Sequence, residues 1–321
     1  MQKKATAREK GDSQGEGQQP GKKAAAGEKG SSHRKRQQPE RRAADVQRRK
    51  ECPADKRAMG KTKVICFANN KGGSGKSTTC SNVGYALSAM GRRVLLVDGD
   101  MQMNLTLSFF PEEQALAFAS GGNNLYQAVK EQKDLTGYIV PTSYEGLDLI
   151  PSSTLMSSIE YELFTKWQRE FILKRGLAPI REPGRYDYIL IDAPPTLGGW
   201  VMNILCASDG VILPVEASPW GLFGLANMFE FLNEVRQIAP ELSLLGVVVT
   251  KADTRKGYFK QTMETLQAME EIHLFETCIR VDSAVEWAQD NSAPVCAYRR
   301  SSRSAKEYTE LAKEVDSLGS R

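Results

Sequence analysis

The sequence predicts an α/β fold, a doubly wound and mostly parallel sheet flanked by helices. Two observations predict it. From Lys63 onward, apolar runs of strand length alternate with longer segments of helical periodicity, and a glycine-rich loop, K-G-G-S-G-K-S-T at 71–78, lies between the first strand and the first helix. Strands that are apolar throughout are buried on both faces of a parallel sheet, and right-handed crossovers then place helices on both sides.

Six short runs rich in Val, Ile and Leu are expected to be strands. They are KVICFA at 63–68, RVLLVD at 93–98, LDLI at 147–150, YDYILID at 186–192, GVILPV at 210–215 and LLGVVVT at 244–250. The segment 76–90 is expected to be a helix because Val83, Leu87 and Met90 share one face. Further helices are expected at 153–175, 222–238, 258–271 and 302–318.

The charge of the chain is uneven and divides it into two parts. The first 60 residues carry 17 Lys and Arg against 8 Asp and Glu, whereas the remaining residues carry 26 against 31. Residues 1–60 hold almost no large apolar side chain, so burial cannot offset the entropy of ordering them. We therefore expect a disordered basic tail over 1–60 and one folded domain over 61–321. The tail is a solvated extension, an arm that holds DNA phosphates, or sequence upstream of a true start at Met59.

The composition disfavours several function classes. The six cysteines, at 52, 66, 80, 206, 278 and 296, form no C-x-x-C pair, which argues against zinc, an iron–sulfur cluster or a disulfide framework. No apolar run approaches the roughly 20 residues of a membrane helix, and the polar N-terminus has no apolar signal region. We expect a cytoplasmic protein with reduced thiols and no membrane partner.

The strongest functional motif is the loop at 71–78, which follows a strand and opens a helix, as a phosphate-binding loop requires. Its glycines let successive N–H groups point at phosphate oxygens, and the helix N-terminus adds partial positive charge. Lys76 is expected to reach the β- and γ-phosphates, and the Ser77 hydroxyl to bind Mg²⁺. The expected nucleotide-binding residues are Gly72, Gly73, Ser74, Gly75, Lys76, Ser77 and Thr78.

An additional lysine makes this loop distinctive. An ordinary phosphate-binding loop does not need Lys71, five residues before Lys76. With Lys71 included, the motif resembles the deviant Walker A box of the ParA/MinD family of P-loop ATPases, and the resemblance runs from about residue 63 to 318. It implies ATP and Mg²⁺ as cofactors, and an ATP-dependent homodimer in which Lys71 acts on the nucleotide of the partner subunit.

Acidic residues end two of the expected strands, at the edge where open α/β sheets bind ligands. Asp98 and Asp100 end V-L-L-V-D-G-D, and Asp192 ends Y-D-Y-I-L-I-D before A-P-P. The first motif is similar to the D-x-D box of the family, although M-Q-M-N follows it here where the family has P-Q-G-N. The resemblance implies that Asp100 orients the attacking water, that Asp98 lies near the metal and that Asp192 holds Mg²⁺.

The motif T-K-A-D at 250–253 leaves open whether the bound nucleotide carries adenine or guanine. Taken alone it is typical of the [NT]-K-x-D motif of GTPases, in which the carboxylate, here Asp253, reads guanine. The ParA family often has T-x-x-D in this place and binds ATP. We expect Asp253 at the base, with ATP favoured and GTP as the alternative.

The resemblance implies a partition ATPase. In such a protein the ATP-bound dimer holds DNA non-specifically, and a ParB-like centromere-binding protein stimulates hydrolysis and release. The clustered basic residues expected at DNA phosphates are Arg255, Lys256, Lys260, Arg299, Arg300, Arg303 and Lys306. The protein is then expected to be associated with the nucleoid.

Other functions within the same superfamily stay open. They are the positioning of another cargo, a MinD-like role, and a metabolic or metal-trafficking role without DNA binding. A MinD-like membrane helix is disfavoured at the C-terminus, because Tyr308, Leu311 and Val315 lie at helical spacing with acids between them. This pattern is typical of a helix whose apolar face packs on the core of the domain.

Overall fold

The apolar runs of the sequence form one sheet. The computed structural model describes residues 60–319, and within them the sheet has seven strands in the order β3-β4-β2-β5-β1-β6-β7. The strands are β1 (Lys63–Phe67), β2 (Val94–Asp98), β3 (Val140–Pro141), β4 (Leu147–Ile150), β5 (Tyr188–Asp192), β6 (Gly210–Glu216) and β7 (Ser243–Thr250). Every pairing is parallel except that of β3 with β4. The predicted doubly wound α/β fold is confirmed. The tail expected over 1–60 falls outside the described residues apart from Gly60.

Helices cover both faces of the sheet. In the described part of the chain they are α1 (Lys76–Ala89), α2 (Asn104–Leu107), α3 (Glu112–Ser120), α4 (Leu125–Lys130), α5 (Ile159–Leu163), α6 (Ile172–Leu177), α7 (Gly199–Ala207), α8 (Pro219–Ile238), α9 (Gly257–Gln267), α10 (Ser283–Asp290), α11 (Val295–Tyr298) and α12 (Arg303–Gly319). None of the helices within residues 60–319 is long and apolar enough to cross a membrane.

The core lies in two layers, one on each face. Side chains alternate along a strand, so Val64 and Cys66 of β1 face one layer while Ile65 and Phe67 face the other. The first layer contains residues of α7 and α8, and the second contains residues of α1 and α12. Tyr308, Leu311 and Val315 are buried in the second layer, which confirms the predicted packing of the last helix.

The single helix expected over 153–175 is wrong. The segment forms 3₁₀ turns at Thr154–Ser158 and Arg169–Phe171 together with the short helices α5 and α6. Gln168 has φ of 47°, and a residue in the left-handed region ends a right-handed helix. The apolar side chains also do not share one face, because Leu163 is buried whereas Phe164 and Trp167 are 71% and 84% exposed.

The carboxyl ends of the parallel strands meet at one edge of the sheet. The loop after β1, the acids at the ends of β2 and β5, Glu216 at the end of β6 and Thr250 at the end of β7 all lie there. Asp98 and Asp192 are register partners on neighbouring strands. Residues far apart in the sequence are therefore brought to a single site.

Candidate nucleotide-binding site

The loop at 71–78 has the backbone of a phosphate cradle. Gly73 and Gly75 have φ of 74° and 88°, values that side-chain-bearing residues rarely adopt. Gly75 is also the N-cap of α1, and no side chain caps this helix end, so its first N–H groups point to the ligand side. Thr250 at the end of β7 donates a 2.7 Å hydrogen bond to the Ser74 carbonyl and thereby fixes the loop.

Lys76 is the cation of the cradle. It is only 6% exposed, and its Nζ donates to the Lys71 carbonyl at 3.3 Å. Burial lowers the pKa of Lys76, whereas the nearby carboxylates of Asp192 and Asp100 raise it. A buried ammonium beside two acids is well placed to meet a phosphate that arrives with a divalent cation.

Asp192 is a buried carboxylate close to Ser77 and Lys76. It is fully buried at the end of β5, and neither carboxylate oxygen has a hydrogen-bond partner within residues 60–319. Burial raises the pKa of Asp192 well above its ordinary value, the charge of Asp98 raises it further, and nearby Ser77 and Lys76 lower it. A carboxylate and a hydroxyl are hard oxygen ligands that suit Mg²⁺. The residues at this position therefore fit the expected metal.

Asp98 is held differently. Its Oδ2 accepts hydrogen bonds from the Thr106 backbone N–H (2.7 Å) and hydroxyl (2.6 Å), and its Oδ1 accepts from the Asp100 N–H (3.2 Å). Burial, partly offset by these bonds, raises the pKa of Asp98 to about 7. Both carboxylate oxygens of Asp98 are hydrogen-bonded within the protein. Asp98 also lies beside Asp192 on the neighbouring strand, where its charge acts on that carboxylate. Thr106 escaped the sequence analysis, because its contact with Asp98 forms only through the turn after β2.

Asp100 lies just beyond β2, at the wall of a cleft of about 720 Å³. Its Oδ1 accepts from the Gln102 N–H at 3.1 Å, and its carbonyl accepts from the Ser152 hydroxyl at 2.7 Å. Burial raises the pKa of Asp100, while the Gln102 N–H and Lys76 lower it. The turn is thus fixed from two sides with its acid facing the cleft.

Part of the cleft wall is formed by elements that the sequence analysis missed. Residues 279–282 and the helix α10 line the cleft together with the phosphate loop. On α10, Gln289 donates a 3.2 Å hydrogen bond from Nε2 to Oγ1 of Thr78, which joins this wall to the loop. Asp282, which caps α10, was the available signal in the sequence.

The sequence of this chain is similar to a known protein family and to characterised relatives. A family model described as an AAA domain matches residues 62–244. The sporulation initiation inhibitor protein Soj of Bacillus subtilis is 34% identical over 258 residues, which cover 80% of this chain and 99% of Soj. The chromosome partitioning protein ParA of Caulobacter vibrioides is 32% identical over 254 residues, covering 79% and 93%. The chain belongs to the ParA/Soj family of P-loop ATPases.

Two solved structures similar to this ParA/Soj-family chain contain nucleotides. A cobyrinic acid a,c-diamide synthase of Mycobacterium smegmatis, with an ATP analog and magnesium, is 30% identical with a TM-score of 0.66, and the match covers 78% of this chain and 93% of that one. A putative plasmid partition protein of Borrelia burgdorferi, bound to AMPPNP, is 26% identical with a TM-score of 0.66, covering 80% and 98%. Both share the fold that forms the cleft described above.

Lys71, the additional lysine of this ParA/Soj-type loop, is turned away from the cleft. Its Nζ forms an ion pair with Glu216 and donates to the Ser218 hydroxyl at 3.0 Å. It is not among the residues that line the cleft, whereas Lys76 is. The two lysines of the loop thus point to different places.

Asp253 is not brought into the nucleotide cleft. Arg255 binds both of its carboxylate oxygens, at 2.9 and 3.0 Å, and these bonds lower the pKa of Asp253 to about 2. The first two residues of the T-K-A-D motif, Thr250 and Lys251, do line the cleft, and Lys251 has φ of 49°. The geometry supports a role of this motif in holding the phosphate loop.

The basic residues proposed for DNA lie on the surface, and several already have partners. Arg255 pairs with Asp253, and Lys260 with Glu264 at 3.7 Å. Arg300 donates to the Tyr85 hydroxyl at 3.1 Å, and Arg303 pairs with Glu307 at 3.9 Å. Lys256, Arg299 and Lys306 are exposed. All seven remain accessible enough to be candidates for phosphate contacts.

Proposed function

We propose that this chain is a partition ATPase that dimerises when it binds ATP and Mg²⁺ and holds DNA non-specifically in that state. Hydrolysis, stimulated by a ParB-like centromere-binding partner, returns it to a form that releases DNA. The relatedness to Soj and ParA over almost their full lengths supports the proposal. We place its action in the cytoplasm, at the nucleoid.

The observation that carries the proposal is the divergence of the two lysines. Lys76 is buried among the acids and serves the nucleotide of its own protomer. Lys71 lies in the same loop with its ammonium outside the cleft, and its side chain is 26% exposed. A cation in this place is explained if its target is the nucleotide of the partner subunit.

The residues of the cleft divide the reaction between them. The N–H groups of the loop and Lys76 hold the phosphates. Ser77 and Asp192 would hold Mg²⁺, which would supply positive charge to the phosphate oxygens. Asp100 orients a water that attacks the γ-phosphorus, so that the bond to the β-phosphate oxygen breaks and ADP and phosphate form. Burial raises the pKa of Asp100, which makes its carboxylate a stronger proton acceptor for that water.

The structure gives no support to the GTPase alternative. Its base-reading residue is Asp253, and the Arg255 guanidinium binds both carboxylate oxygens of that residue outside the cleft. We therefore assign ATP as the nucleotide.

Sedimentation velocity on three proteins tests the proposal. The wild type should be monomeric with ADP and dimeric with ATP and Mg²⁺. Asp100→Ala should accumulate as the ATP-bound dimer, because the water loses its orienting carboxylate. Lys71→Ala should bind ATP yet stay monomeric, with hydrolysis lost. An ATP-dependent dimer with normal turnover in Lys71→Ala would remove the role of this lysine in the partner's site.

A further inference from the structure

Lys71 is held by its own protomer through two contacts far away in the sequence. Glu216 and Ser218, which receive its ammonium, belong to the end of β6 and the turn that follows it. The Lys71 side chain is 26% exposed and that of Glu216 is 33% exposed, so the pair is largely shielded from solvent. Lys71, which the proposed function requires at the nucleotide of a partner subunit, is therefore bound to groups of its own protomer in the free chain.

The backbone around Lys71 connects this pair to the cleft. Its carbonyl accepts the Lys76 ammonium at 3.3 Å, and its N–H donates to Asn69 Oδ1 at 2.9 Å. The helix α8 packs directly on the same segment, since a Cβ placed on Gly224 would lie 2.9 Å from Asn70 Oδ1 and 3.7 Å from Lys71 Cβ. A phosphate that draws the Lys76 ammonium away from the Lys71 carbonyl thus removes a backbone contact of Lys71, the residue whose side chain pairs with Glu216.

We propose that Glu216 is a positioning residue that retains Lys71 within its own protomer and so competes with the partner subunit for this lysine. The inference rests on the proposed function, because it presumes that Lys71 acts across a dimer. Dimer formation then requires that the ammonium leave Glu216 and Ser218. The Lys71–Glu216 pair raises the concentration of ATP-bound protein at which dimers form.

The size of the effect follows from the energetics of such pairs. An ion pair that solvent partly reaches contributes modestly, so its loss should shift a monomer–dimer equilibrium by roughly fivefold. Lys71 keeps its charge in a Glu216→Gln variant, and the glutamine preserves the size and a hydrogen-bond acceptor of the original side chain. Only the charge attraction that retains the lysine is removed.

The first experiment measures the dimerisation midpoint with ATP and Mg²⁺ by sedimentation. Glu216→Gln should dimerise at a protein concentration roughly fivefold lower than the wild type. The matched control is Glu162→Gln, which breaks the Lys130–Glu162 pair (3.0 Å, with 42% and 29% exposed side chains) elsewhere on the fold and should leave the midpoint unchanged. An unchanged or higher midpoint in Glu216→Gln overturns the inference.

The second experiment examines the free chain and needs no dimer. Without nucleotide, acetylation of individual lysines by an N-hydroxysuccinimide ester is followed by mass spectrometry. Lys71 should react more slowly than Lys61, which is 77% exposed, because its amine must first leave both acceptors. Glu216→Gln should accelerate Lys71 several-fold and leave Lys61 unchanged.

These two readouts separate the inference from the proposed function. Equal rates at Lys71 in wild type and Glu216→Gln mean that Glu216 does not retain the lysine, whatever the oligomeric state. A wild type that stays monomeric with ATP, together with acceleration of Lys71 in the variant, contradicts the dimer model and leaves the intramolecular retention established.

Discussion

The main feature of the site is a pair of buried charged side chains that few protein groups contact. Lys76 and Asp192 are both buried, and Asp192 lacks any hydrogen-bond partner in the part of the chain that the structure describes. Burying such groups is costly unless a ligand completes them. Nucleotide phosphates and Mg²⁺ supply the missing countercharges, so the site is preorganised for a ligand at the expense of stability.

Lys76→Ala should reduce ATP affinity by roughly two orders of magnitude, because the β- and γ-phosphates lose their closest cation. Isothermal titration calorimetry measures the reduction. Lys313→Ala on the surface of α12, where the lysine pairs with Glu310 at 2.8 Å, serves as the control and should bind ATP normally. Retained affinity in Lys76→Ala would exclude the loop at 71–78 as the phosphate site.

Asp192→Asn should uncouple ligand binding from thermal stability. A buried polar side chain of the same size remains, so the nucleotide-free protein should unfold within a few degrees of the wild type. The rise in Tm that ATP and Mg²⁺ produce in the wild type should disappear, because the metal loses a ligand. Thermal unfolding with and without the ligand measures both, and a Mg²⁺-dependent shift of normal size would contradict the metal assignment.

Among the elements, α10 and the segment after β7 contribute differently to the cleft. Gln289 of α10 bonds to Thr78 of the loop, whereas Asp253 after β7 is taken by Arg255. Asp253→Asn should therefore leave ATP affinity and the preference over GTP within about twofold, while Gln289→Ala should weaken ATP binding several-fold. Competition of GTP against a fluorescent ATP analogue measures both variants. A changed ATP-to-GTP preference in Asp253→Asn would restore this residue as the reader of the base.

The elements that the sequence predicted are those whose local pattern decides their structure. β1, β2, β5, β6 and β7 are continuous apolar runs, and α1 follows a glycine-rich loop whose motif is itself a helix start. The break of 153–175 was not predictable, because it coincides with tertiary contacts: the Asn203 side chain of α7 accepts from the Leu173 N–H at 3.0 Å and donates to the Arg169 carbonyl. The α10 wall was missed for a similar reason.

The same distinction holds for the candidate site. Lys76, Ser77, Asp100 and Asp192 could be proposed from the sequence because each stands at a fixed distance from the end of a strand. The contact of Lys71 with Glu216 joins residues 145 positions apart, and the pairing of Asp253 with Arg255 depends on the conformation of one turn. Side-chain pairing of this kind is set by the tertiary fold and leaves no local pattern.

For the whole chain, the uneven charge predicts that residues 1–58 contribute to DNA binding but not to ATP hydrolysis. The first 60 residues carry a large excess of positive charge, whereas the P-loop strand begins only at Lys63. Deleting residues 1–58 should leave ATPase activity intact and weaken DNA binding without removing its dependence on ATP. The slope of log affinity against log salt should flatten by ~0.9 for each DNA phosphate that the shortened chain no longer neutralises. Filter binding over a salt series measures this, and complete loss of ATP-dependent binding would make residues 1–58 the DNA-binding element.

In the proposed function, the nucleotide state controls assembly on DNA. Gel-shift titrations of a random duplex with the full-length chain in ATP, in ADP and without nucleotide test this dependence, with Lys71→Ala run beside the wild type. We expect tight binding only for the wild type with ATP and Mg²⁺, and weak, salt-sensitive binding in every other lane. Equal affinity in ATP and ADP, or wild-type ATP-dependent binding by Lys71→Ala, would contradict it.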